Sequence, residues 1–192
     1  NGQNTYKHLT TASTVKDVIE HEAFAGFGQF ILPAERRYDD NMPLANVASL
    51  LPYHNYVTGE RTVETINTMI DYVQDGNRLF YDIYSDEDKR ADARKNNTGQ
   101  FFFRGEPGKP FAIVCPGGGF SYVGAIHEGF PLAIALSKMG YNAFSIQYRT
   151  GSAQVACEDL AQAIDFIMRH AEELQVSTDD YSLWGGSAGA RM

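Results

Sequence analysis

Leu183-Trp184-Gly185-Gly186-Ser187-Ala188-Gly189-Ala190-Arg191-Met192 decides how the rest of the chain reads. The apolar run Tyr181 to Trp184 predicts a buried strand. It leads straight into Gly185-Gly186-Ser187-Ala188-Gly189, which fits the pattern G-x-S-x-G. That pattern sets a serine on a tight turn between a strand and a helix. Gly185 and Gly189 lack a Cβ, so the chain can pack closely on either side of Ser187. A helix is expected to start near Ala188, and three residues come after Gly189.

Working upstream, the chain alternates strand and helix from Pro110 onward. Phe111 to Cys115 is a continuous apolar strand, followed by Pro116-Gly117-Gly118-Gly119-Phe120. His127 to Met139 predicts a helix with Leu132, Leu136 and Met139 on one face and Gly140 as its stop. Tyr141 to Tyr148 is the next strand. Ala153 to Leu174 is a helix with Leu160, Ile164 and Ile167 facing inward. The expected fold class is therefore α/β: a mostly parallel sheet, helices on both faces, right-handed crossovers. Stopping just after the serine turn would leave that sheet incomplete on its C-terminal side, with an exposed apolar edge.

Before Pro110 the pattern is weaker. Arg61 to Asp75 predicts a helix, with Val63, Ile66, Ile70 and Val73 on one face and Gly76 as its C′ residue. Arg78 to Tyr84 alternates as a strand, Ser85 to Asn97 is a charged run expected to be a solvated hairpin loop, and Phe101 to Arg104 is the return strand. Val15 to Glu22 suggests a short helix, and Leu44, Val47, Leu50 and Leu51 a helical turn or two. Phe24, Phe27, Phe30, Ile31 and Leu32 read as buried rings and core filler. The expected division is residues 1–75 as an irregular extension wrapping the core, and residues 76–192 as the first part of one α/β domain.

Composition narrows the function classes. The 192 residues carry a net charge of -8, which disfavours a nucleic-acid partner and lends nothing to binding an anionic membrane. No apolar run approaches the roughly 20 residues of a membrane helix. Cys115 and Cys157 read as two free thiols and fit no zinc spacing, so no metal or cofactor is expected. Residue 1 is Asn, which fits a removed leader or a start inside a longer chain. Cytoplasmic and secreted settings both remain open. Asn96-Asn97-Thr98 matches a glycosylation acceptor, a three-residue pattern that recurs by chance.

The chemistry lies in two glycine-rich turns. A phosphate loop is the first alternative for Gly117 to Gly119, but no Lys-Ser/Thr comes next, and G-x-G-x-x-G breaks at Tyr122. A serine nucleophile instead needs N–H donors aimed at the oxyanion of a tetrahedral intermediate. One comes from the residue after the serine, Ala188, and another from a glycine loop after an earlier strand. Each donor contributes about 3 kcal/mol to lowering the barrier. Gly118 and Gly119 are the candidates on that loop. Phe120 and His127 are candidates to line a substrate site, although His127 equally suits a solvated helix start.

With these turns in place, the chain resembles the α/β-hydrolase family, and within it the acetyl-esterase and hormone-sensitive-lipase-like carboxylesterases. The residues carrying the likeness are Cys115 to Phe120, Gly140-Tyr141-Asn142-Ala143-Phe144 with Tyr148-Arg149, and Gly185 to Gly189. It covers about Arg78 to Met192. The resemblance implies Ser187 as nucleophile, with Gly118, Gly119 and Ala188 supplying the oxyanion N–H groups. It implies a small-molecule ester substrate with a short acyl group, acetyl esters of plant-wall sugars included. Pro116 departs from the family, where many relatives carry His before the glycines. That substitution removes a side-chain hydrogen bond able to brace the loop.

In this fold the acid and the histidine come after the serine. All five histidines, His8, His21, His54, His127 and His170, precede Ser187. The expectation is that an acid and a base come from sequence beyond residue 192, a missing C-terminal part of the same enzyme. A hydrolase-like domain that binds without catalysis, and a serine peptidase of the same fold, are the alternatives.

Overall fold

A computed structural model of the chain describes residues 5–33, 39–50, 58–186 and 189–192, with only the backbone path for 48–50. The chain forms two compact units, Asn1–Leu79 and Phe80–Met192.

In the first unit, α1 (Val15–Ile19) starts at a capping box: the Thr14 side chain accepts from Asp17 N, and Asp17 accepts from Thr14 N. Single 3-10 turns come next, at Glu22–Phe24 and Gly28–Phe30. Phe24, Phe30, Ile31 and Leu32 are buried there. Another 3-10 stretch, Leu44–Leu50, has Leu44 and Val47 buried, while Leu51 lies outside the described residues. The long helix α2 (Gly59–Gln74) is capped by Thr58 and ends before Gly76, whose φ of 93° suits a residue without a Cβ. Its buried face is Thr62, Ile66, Met69 and Ile70. Val63 and Val73, expected on that face, are half-buried beside it. Asn67 on α2 grips the backbone of Leu9 in both directions, at 2.8 and 3.0 Å.

The second unit is a five-stranded sheet in the order β1-β2-β4-β3-β5. The strands are β1 (Phe80–Tyr81), β2 (Gly99–Phe103), β3 (Pro110–Cys115), β4 (Asn142–Gln147) and β5 (Ser177–Gly185). Pairs β3/β4 and β3/β5 are parallel, but β1/β2 and β2/β4 are antiparallel. The sheet is thus mixed, and the expectation of a mostly parallel sheet is overturned. For β2 against β4 the cause is connection length. A parallel pair needs a crossover of a dozen or more residues, whereas residues 104–109 between β2 and β3 allow only a reversal of direction.

The two faces are filled by different helices. Phe101 and Phe102 point to opposite sides, as successive strand residues must. Phe101 meets Phe130 of α4 (Phe130–Lys138) at 4.6 Å between ring centroids. Phe102 stacks on Phe144 at 4.3 Å, on the face where Tyr81 meets Phe166 of α5 (Ala153–Arg169). The helix predicted to run to Leu174 breaks at His170, and α6 (Ala171–Leu174) continues it. The segment Ser85 to Asn97 is not a plain loop: it holds α3 (Asp86–Ala91), capped by Ser85, and a 3-10 turn over Ala93–Asn97. Strand β5 is an edge among the described residues. Tyr181, Leu183 and Trp184, expected to be buried, are 39%, 50% and 43% exposed. No described helix is long and apolar enough to cross a membrane.

Candidate active site

Both glycine-rich turns sit at the C-terminal ends of neighbouring parallel strands. Cys115, the last residue of β3, pairs in register with Gly185, the last of β5. The loop after β3 and the turn after β5 therefore leave the same sheet edge side by side. In α/β sheets this edge is where ligands bind.

The turn after β5 closes through Gly189 N donating to Gly186 O at 3.0 Å. Its tightness excludes side chains at two positions. A Cβ on Gly185 would lie 2.7 Å from the Gly189 carbonyl atoms, and one on Gly189 would lie 1.9 Å from Cys115 O. Gly189 thus packs directly on the start of the β3 loop. Ser187 and Ala188, the expected nucleophile and oxyanion donor, lie outside the described residues. In place of the expected helix, Gly189–Arg191 form a three-residue 3-10 turn.

The loop after β3 owes its shape to glycines 118 and 119. Gly118 has φ of 147°, and a Cβ there would meet Tyr122 O at 1.9 Å; Gly119 has φ of 63° with open space around it. Gly118 O accepts from Ser121 N at 3.1 Å and Ser121 Oγ at 2.9 Å. The N–H groups of Gly118 and Gly119 have no acceptor among the described residues. Exposure rises along the loop, from buried Gly117 through half-buried Gly118 to exposed Gly119. Phe120 holds φ of 59°, a left-handed conformation costly for a side-chained residue and concentrated at functional sites.

The segment after β4 clamps this loop at both ends. The hydroxyl of Tyr148, fully buried, donates to Pro116 O. Gly151 N donates to Phe120 O at 2.6 Å. The brace that Pro116 cannot supply from its own side chain thus comes from Tyr148. In the sequence, Tyr148-Arg149 marks the family likeness without a role of its own, because a motif states residue types and not the direction of a hydroxyl.

Arg149 anchors the clamp. Buried Asp159 on α5 accepts from Arg149 Nε and from a terminal guanidinium nitrogen (Nη2) at 2.8 to 3.2 Å, and from its backbone N at 2.7 Å. Asp92 and Glu158 add ion pairs at 3.1 and 3.3 Å, and Tyr84 donates its hydroxyl to Asp159 at 2.6 Å. The hydrogen bonds that Arg149 donates to Asp159 hold it firmly protonated, above the ordinary arginine range. Burial, then the Asp159 carboxylate, pushes the Tyr84 phenol up as well. Cys115 has its thiol pushed up to about 12, first by burial and then by the neighbouring Cys157.

His127 lies half-buried in a π-helical turn, Ala125–Gly129, that leads into α4. Such turns recur at functional sites. His170 is elsewhere. It caps the C-terminus of α5, its Nδ1 2.7 Å from Phe166 O. α5 runs back between parallel strands, so its C-terminus belongs to the opposite sheet edge, about a strand length from the two turns. Among the described residues no three His, Cys, Asp or Glu cluster as a metal site would require.

A sheet with helices on both faces and a glycine turn at the end of each neighbouring strand matches a known architecture. Its fold is that of an α/β-hydrolase. The acetyl ester-xyloside bifunctional hydrolase from Caldicellulosiruptor lactoaceticus superposes with a TM-score of 0.51 at 21% identity, covering 57% of this chain and 43% of that one. Esterase 2 from Thermogutta terrifontis, a Planctomycetes species, gives a TM-score of 0.45 at 20% identity over 48% of this chain and 36% of its own. MGS-M1, an α/β-hydrolase enzyme from a Medee basin deep-sea metagenome library, gives 0.42 at 20% identity over 45% and 40%. The chain thus spans under half the length of these solved structures. Residues 104–192 match the BD-FAE family model, which takes in both turns of this α/β-hydrolase unit. No curated protein matches the chain.

Proposed function

We propose that this chain carries the nucleophile turn and oxyanion loop of a serine carboxylic-ester hydrolase. The observation that supports it is the packing of Gly189 on Cys115 and Pro116, with the Gly118 and Gly119 N–H groups of the adjoining loop lacking an acceptor among the described residues. Ser187 attacks the ester carbonyl, and the oxygen turning negative is held by N–H groups of Gly118, Gly119 and Ala188. The alcohol leaves, and water clears the acyl-enzyme. In this fold the acid and the histidine follow the serine in the chain, so this reading assigns neither role to a residue before Ser187. Phe120 and His127 line the substrate side of the loop. A short acyl group is the substrate class this reading favours. Acetyl groups on sugars belong to it, as the name of the Caldicellulosiruptor enzyme suggests.

The test is covalent. The full-length protein, treated with an alkyl phosphonate, is digested and mapped by mass spectrometry. Labelling on Ser187, with loss of p-nitrophenyl acetate hydrolysis, is expected. A folded protein that hydrolyses the ester while Ser187 stays unlabelled contradicts the assignment.

A further inference from the structure

The carboxylate of Glu128 lies between the two glycine turns. Glu128 sits in the π-helical turn Ala125–Gly129 and is half-buried. A Cβ built on Gly124 would fall 2.8 Å from its Oε2, and one built on Gly186 would fall 3.8 Å from its Oε1. Gly124 belongs to the first turn, through its N–H donation to Gly117 O at 2.9 Å. Gly186 is exposed and directly precedes Ser187 in the chain. Among the described residues, chain neighbours aside, Glu128 alone comes within 4 Å of that Gly186 position. Gly124 leaves room for the carboxylate, and the other oxygen faces Gly186, the residue before the proposed nucleophile.

We infer that Glu128 is a specificity-determining residue, selecting neutral, hydroxyl-bearing esters and rejecting anionic ones. The inference rests on the ester-hydrolase reading. A carboxylate offers only acceptor oxygens, so it takes hydrogen bonds from substrate hydroxyls. Against a second negative charge it has no favourable contact, and repulsion within a partly buried site discriminates strongly between substrates. The Tyr122 ring adjoins the same carboxylate, 3.6 Å from the Gly124 position.

The experiment uses the full-length protein and two matched ester pairs. On the acyl side, p-nitrophenyl acetate is compared with the p-nitrophenyl half-ester of succinate. On the alcohol side, methyl 4-acetoxybenzoate is compared with 4-acetoxybenzoate. Glu128→Gln keeps the shape and removes the charge; Glu128→Ser serves if that variant does not fold. The anionic-to-neutral ratio of kcat/KM is expected to rise about tenfold in at least one pair, the scale of one like charge at roughly 6 Å in a half-buried site. Asp165→Asn, on the exposed Asp165–Arg169 pair of α5, controls for net charge and leaves both ratios unchanged. Ratios within about twofold of wild type in both pairs overturn the inference, as does an equal rise in the Asp165→Asn control. A wild-type protein that hydrolyses none of the four esters sinks this inference together with the reading beneath it. An active wild type with unmoved ratios sinks this inference alone.

Discussion

Replacing Tyr148 by Phe removes one oxygen and nothing else. Tyr148 is fully buried, and its hydroxyl donates to the carbonyl of buried Pro116. The variant therefore leaves one buried carbonyl without its donor, at a cost of about 1 to 3 kcal/mol in stability. The catalytic effect comes from where Pro116 sits, two residues before Gly118. Loss of the brace at one end leaves the other clamp, Gly151 N to Phe120 O, intact. The loop is loosened, and its donors are not deleted. Deleting a donor outright lowers kcat by about 10² to 10³; a loosened pair is expected to lower it about tenfold, roughly 1.4 kcal/mol of barrier. Because the N–H groups act on charge that develops in the transition state, KM should change little. Steady-state hydrolysis of p-nitrophenyl acetate by the full-length protein, with thermal unfolding as the check on folding, makes the measurement. A folded Tyr148→Phe protein with kcat within twofold of wild type refutes the brace. So does a rise in KM that accounts for the whole loss.

The same geometry carries three further outcomes. Gly118→Ala should abolish hydrolysis or prevent folding, since its Cβ would lie 1.9 Å from Tyr122 O, whereas Gly119→Ala, in open space at φ of 63°, should cost about 1 to 2 kcal/mol in an unfolding titration; equal effects would contradict the loop geometry. Asp159→Asn should destabilise the protein by about 3 kcal/mol in urea, the lower end for breaking a buried pair because Asp92 and Glu158 still face Arg149; a change under about 1 kcal/mol would deny the network its anchoring role. Stability should fall as pH rises from the ordinary thiol value of 9.0 towards about 12, by up to about 1.4 kcal/mol per unit, because the unfolded Cys115 ionises there and the folded one does not; Cys115→Ala should remove that part of the slope.

The order of strands and helices after Pro110 is legible in the sequence because each element there carries its own periodicity. The directions of the strands are not. The alternation of β3, α4, β4, α5 and β5 implies parallel neighbours, and the run from Arg78 to Arg104 an antiparallel hairpin; neither pattern reveals that β2 joins the same sheet against β4, reversed because residues 104–109 are too short for a crossover. Helix α3 escapes notice for a different reason. It buries no side chain, so it leaves no apolar period, and its signal is the Ser85 cap and the first-turn acids Asp86, Glu87 and Asp88. Tyr181, Leu183 and Trp184 show the converse: the apolar run reads as buried, and these residues are exposed because β5 is an edge among the described residues. At the site, glycine spacing reveals both turns, since close packing admits nothing larger. The hydroxyl of Tyr148 and the carboxylate of Glu128 act across sequence distance, and only their three-dimensional placement reveals them.

The central claim is that the loop after β3 and the turn after β5 serve one reacting group. A crystal structure of the full-length protein phosphonylated at Ser187 tests it most directly. The account predicts the phosphonyl oxygen within about 3 Å of the Gly118 or Gly119 nitrogen, and of the Ala188 nitrogen. A phosphonyl oxygen turned to solvent, with the Gly118 and Gly119 N–H groups bonded elsewhere, would contradict it.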